Sequence, residues 1–164
     1  MYQHILLAVA LQKWEEFTPH ALAARDAAVA MAKGSGAKLS ALSVYDYTEV
    51  KEPSGIPQEM AVRYREDQMH RIDALMESKL KNFLAGAQGA DIPITSVLVA
   101  GEPRQTIVAT AERLEVGLLV IGAHSKRSIF DVVLGGTAAY VSRHAPCPVV
   151  MVKPASTRQG PATR

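Results

Sequence analysis

Residues 118–152 read LLVIGAHSKRSIFDVVLGGTAAYVSRHAPCPVVMV, and this stretch decides the fold. Leu118 to Gly122 is a short, almost wholly apolar run, the pattern of a strand covered on both faces. The chain then enters a loop with small residues at both ends, Gly122-Ala123 and Gly135-Gly136. A helix is predicted from Gly136 to His144, closed off by Pro146, and Val149 to Val152 is apolar again. Strand, helix and strand in that order make one crossover unit of a parallel sheet.

The same alternation runs back to the start of the chain. Ile5 to Ala10, Lys38 to Tyr45 and Ile92 to Val99 are the other expected strands. Between them, Thr18-Pro19 reads as an N-cap with proline at the first helical position, and Gly34 as the stop. Met69, Ile72, Met76, Leu80 and Phe83 recur every three or four residues, the buried stripe of a long second helix. Pro103 opens a third helix with Ile107, Ala111 and Leu114 facing inward. The segment from Asp46 to Pro57, with Pro53 and Gly55, reads as a loop.

The expected fold is therefore α/β: a doubly wound, five-stranded parallel sheet in the order 3-2-1-4-5, flanked by four helices. That order reverses direction between strands one and four. Ligands of such sheets bind beyond the carboxyl ends of the strands at the reversal. Here those ends are Ala8-Val9-Ala10 and Val120-Ile121-Gly122.

Composition narrows the class. At 164 residues and 48% hydrophobic, the chain is about one domain long and folds around a core. No apolar run nears the ~20 residues of a membrane span. Met1 to Leu11 lacks the basic head and cleavage site of a secretory signal. A single cysteine, Cys147, suits a reducing compartment, so the expectation is a cytoplasmic protein. The net charge of +2 comes from Arg158 and Arg164 in a polar tail over 154–164, expected to be disordered; the other 16 basic and 16 acidic residues balance. No basic face for nucleic acid is expected, and no membrane contact.

The loop from Gly122 to Thr137 carries the chemistry. Small residues between strand and helix let backbone amides approach an anion, and the helix start adds unpaired N–H groups and its positive dipole end. Thr137 offers a hydroxyl, and Lys126 and Arg127 offer charge. A plain turn and a Thr137 helix cap account for the same residues, and both readings stand on this ground.

Ile5-Leu-Leu-Ala-Val, Ser43-Val44, Gly101-Glu-Pro103, Val120-Ile-Gly122 and the run Leu134-Gly-Gly-Thr-Ala-Ala-Tyr-Val-Ser-Arg-His-Ala-Pro-Cys-Pro-Val-Val together resemble the universal stress protein domain. The resemblance covers about residues 3–153, giving a domain over 1–153. Nucleotide-binding members of that family carry G-x-x-G, nine residues, then G-[ST]. This chain keeps the spacing, with Gly122, Ser125, nine residues from Lys126 to Leu134, then Gly135-Gly136. It departs at Ser125, at Gly136 in the Ser/Thr place, and at Ala10, where the family's strand-one acid is missing.

The resemblance implies an adenine nucleotide, ATP or ADP with or without Mg, bound in the strand 1/strand 4 crevice. The nucleoside would lie against Ala8, Val9, Ala10 and Val44, and the phosphates against Gly122, Ser125, Gly135, Gly136 and Thr137, with Ile121 also counted among the nucleotide-binding residues. It also implies a homodimer through the last strand, residues 148–153, and an unidentified regulatory protein partner. The alternative is a nucleotide-independent dimeric interaction protein with a degenerate site, for which Ala10 speaks.

Other residues point nowhere in particular. The histidines at 4, 20, 70, 124 and 144 lack metal-ligand spacing. Ser128 and Asp131 sit in no nucleophile elbow, and there is no phosphate-transfer motif G-x-x-x-x-G-K-[ST]. The expectation is a binding protein without catalytic residues. Cys147, between two prolines, reads as an apolar filler. Trp14 reads as a cover for the crevice or a stacking surface for a base.

Overall fold

The computed structural model describes residues 2–123 and 136–155. Five strands pair in parallel in the order β3-β2-β1-β4-β5, as the alternation of elements requires. They are β1 (His4–Val9), β2 (Lys38–Tyr45), β3 (Ile94–Ala100), β4 (Leu118–Gly122) and β5 (Val149–Val152). The helices are α1 (Pro19–Ser35), α2 (Gln58–Ala85), α3 (Pro103–Arg113) and α4 (Gly136–His144), with a short 3₁₀ turn over Gln88–Ala90.

Continuous apolar strands follow from two-sided burial, because alternate side chains feed different layers. On one face Ile5, Leu7, Leu39, Ala41 and Val120 meet Ala24, Ala28 and Ala32 of α1 and Met76, Leu80 and Phe83 of α2. On the other, Leu6, Ala8, Leu42, Val44, Leu119 and Ile121 meet Ile107 and Ala111 of α3 and Ala138 and Val141 of α4. The alanine stripe lets α1 lie close to the sheet. Of the expected α2 stripe, Met76, Leu80 and Phe83 are buried, while Met69 and Ile72 are only half-buried.

Three boundaries differ from the sequence reading. β1 spans His4–Val9 rather than Ile5 to Ala10, and β3 begins at Ile94 rather than Ile92. Ala10 is left outside the ladder, exposed at the strand's mouth. Gly34 lies inside α1, and the helix stops at Gly36, whose φ of 67° is the left-handed conformation that ends helices. Gly34 and Gly36 carry the same local signal, and the backbone angle decides between them. Thr18 caps α1 as read, its hydroxyl accepting from the Ala21 N–H at 3.3 Å. Pro103 opens α3, with Glu102 accepting from the Gln105 N–H at 3.0 Å.

Candidate functional site

At the carboxyl ends of β1 and β4 the chain leaves a cleft of about 470 Å³. That falls within the 300–1,000 Å³ usual for small-molecule sites. Its inner walls are apolar: Ala8, Val9, Leu42, Val44, Ile107 and Ile121 line it. Ala10, Gly122, Gly136 and Thr137 line it as well. Every described residue expected at the crevice is thus brought to one place. Ser125 and Gly135, with His124, Lys126, Arg127, Ser128 and Asp131, lie outside the described residues.

Gly122 has a spatial reason to be bare. A Cβ there would stand 2.9 Å from the His20 carbonyl oxygen and 3.1 Å from its carbon. A Cβ essentially never sits 2.9 Å from a backbone oxygen, so the glycine lets the first turn of α1 close over the end of β4. Across the cleft, α4 begins at Gly136. The Arg104 guanidinium of α3 fills the space a side chain at 136 would take, its Nη2 lying 2.5 Å from where a Cβ would stand. The helix start and the guanidinium thus put positive charge beside Gly136, at the edge of the cleft.

The opposite end is polar in a different way, and sequence reasoning passed over it. Gln12, Lys13 and Asp46 line the cleft there, and Trp14 lines it too. The Gln12 amide donates to the Asp46 carbonyl at 2.7 Å, and the Asp46 N–H donates to Gln12 Oε1 at 3.0 Å. This two-way clip ties the loop after β1 to the end of β2. Lys79 Nζ of α2 donates to the carbonyls of Leu11, Gln12 and Trp14, at 3.1, 3.3 and 2.8 Å. The loop that carries Trp14 is therefore anchored, and its indole stands at the mouth, 49% exposed. A signal for Asp46 existed, since it follows Val44-Tyr45 at a strand end, yet a lone aspartate before a loop is an ordinary turn residue.

Asp46 Oδ1 accepts from the Thr48 N–H at 2.9 Å and from its hydroxyl at 2.6 Å. Those two bonds, with a smaller contribution from the Lys13 ammonium, hold its carboxyl below the usual range, so it is ionised at neutral pH. Next to the cleft, Tyr45 and Tyr47 both donate to Asp73 Oδ1 of α2. Burial, then the bond to Asp73, pushes the Tyr45 phenol well up, and the two tyrosine bonds pull Asp73 down. Cys147 packs half-buried against the α3/α4 layer, and burial pushes its thiol up, in keeping with a filler. Among the described residues no cluster of His, Cys, Asp or Glu could hold a metal ion.

The universal stress protein family model matches residues 1–153. The chain belongs to the universal stress protein family. Two curated relatives, universal stress proteins MJ0577 and MJ0531 of Methanocaldococcus jannaschii, are 26% and 31% identical over 77 residues. That match is 47% of this chain and 48% or 45% of the relative, so it spans about half the length of each. Among solved structures, hypothetical protein MJ0577 superposes with a TM-score of 0.68 at 20% identity, covering 96% of this chain and 99% of that one. A universal stress protein of Archaeoglobus fulgidus in complex with dAMP gives 0.59 at 18% identity, covering 93% and 98%. An Arabidopsis thaliana family member with AMP bound gives 0.61 at 17% identity, covering 99% of both chains. At these identities the structural likeness shows the fold.

Proposed function

We propose that this universal stress protein is a stress-response regulatory module that binds an adenine nucleotide, ATP or ADP with or without Mg, in the β1/β4 cleft. It holds the nucleotide rather than turning it over. One observation carries the reading: a cleft with apolar inner walls ends at the start of α4, where the Arg104 guanidinium lies against Gly136. The apolar walls take the base, and the positive end takes phosphate. The Gly136 departure from the family motif thus removes a hydroxyl but makes room for a cation. Family neighbours solved with dAMP and AMP support an adenine ligand.

The protein acts in the cytoplasm as a homodimer through residues 148–153, and the nucleotide state alters what that dimer presents to a regulatory protein partner. A second reading is favoured by Ala10, exposed at the strand-one position where an acid would face the ligand. There the protein is an interaction module that works without nucleotide. Titration calorimetry separates the two. ATP should bind at least about tenfold more tightly than adenosine, and Arg104→Ala should remove about 1.5–3 kcal/mol from ATP binding while leaving adenosine unchanged. Equal affinity for ATP and adenosine would remove the phosphate end from the account. Absence of binding by either would leave the interaction module.

A further inference from the structure

We infer that Asp46 is the residue that reads the nucleoside, its carboxylate accepting a hydrogen bond from a donor on the bound ligand, either a ribose hydroxyl or the base amine. The inference rests on the proposed nucleotide reading of the cleft. Asp46 is the one carboxylate among the described residues lining that cleft. It stands at the end of β2, and β1 lies between β2 and β4. Two strand spacings, about 10 Å, therefore separate it from the β4 end of the cleft. That is roughly the reach from the phosphates of a nucleotide to its sugar and base, so the two ends of the cleft match the two ends of one molecule.

The placement of Asp46 is rigid for a residue at a loop entrance. Its backbone is clipped to Gln12 through both N–H and C=O. Gln12 is in turn fixed through its carbonyl to Lys79. Its Oδ1 is occupied by Thr48. Among the described residues no donor reaches Oδ2, so one charged acceptor is left for a ligand. An ionised carboxylate accepts and never donates, which selects a hydroxyl or an amine over a carbonyl. A turn-capping role alone would also explain the Thr48 bonds, and it has a different signature. Asparagine caps the same turn through Oδ1 and keeps the Gln12 clip, but it loses the charge and turns the Oδ2 acceptor into an N–H donor.

The test is titration of wild type and Asp46→Asn with ATP, 2′,3′-dideoxy-ATP and ITP, with thermal melting of both unliganded proteins as the control for folding. We expect Asp46→Asn to weaken ATP about ten- to a hundredfold. The penalty should vanish for one modified ligand only. If it vanishes for the dideoxy compound, Asp46 reads the sugar; if for ITP, it reads the base amine. Two results overturn the inference while leaving the nucleotide reading in place. These are Asp46→Asn binding ATP as wild type does, or weakening all three ligands equally. A wild type that binds none of the three overturns both.

Discussion

The bond network behind the cleft turns on a single carboxylate, Asp73, which accepts hydrogen bonds from two phenols at neighbouring positions on and after β2. Tyr45 is buried and Tyr47 half-buried, so their hydroxyls need a partner, and an ionised acceptor is a strong one. Replacing Asp73 by asparagine should cost about 1–2 kcal/mol in urea unfolding, the figure being reduced because Asp73 is itself only half-buried and partly screened. The pH dependence has a definite sign. Asp73 binds its proton less readily folded than unfolded, so its contribution is present above the ordinary value near ~3.9 and is lost as pH falls through the lower folded value. Tyr45 holds its proton more tightly when folded, so its contribution is present below ~10 and fades above it. The Asp73→Asn variant should therefore show a shallower loss of stability below pH 4 than wild type. An unchanged acid limb would show that the carboxylate contributes nothing.

Elements were largely legible because each carries its own period and punctuation. The apolar runs of β2, β4 and β5 are bounded as read, and so are Pro19 and Pro103 at the starts of α1 and α3. What the pattern could not carry was backbone angle and cross-chain proximity. Gly36 rather than Gly34 stops α1 because only one of two adjacent signals falls where the chain turns left-handed. The floor of the cleft was legible from topology, as the strand ends at a reversal point. The polar end was not, because Gln12, Asp46 and Lys79 are far apart in sequence and individually ordinary. Gly122 belongs to the same class of surprise, bare because α1 from a hundred residues earlier crosses it. Gly122→Ala should cost about 1–3 kcal/mol, since backbone rather than a side-chain tip must give way. It should also weaken ATP, because the wall formed by β4 and α1 moves. A variant as stable as wild type would mean the contact is loose.

At the scale of the whole molecule, the sheet ends at β5, where Met151 is 40% exposed and the valines around it are half-buried. Apolar strands at a sheet end invite pairing. Light scattering at micromolar concentration should return about twice the 17.7 kDa chain mass, and a monomer there would remove the dimer from the account. The cleft makes the larger claim, and the melting midpoint with and without nucleotide tests it most directly. A ligand that binds only the folded state at a hundred times its Kd adds about 2.7 kcal/mol. For a chain of this size that raises the midpoint by roughly 5–10 °C. Millimolar ATP or ADP should produce such a shift and adenosine a smaller one. No shift with either nucleotide, once copurified ligand has been excluded by mass spectrometry, would contradict the account.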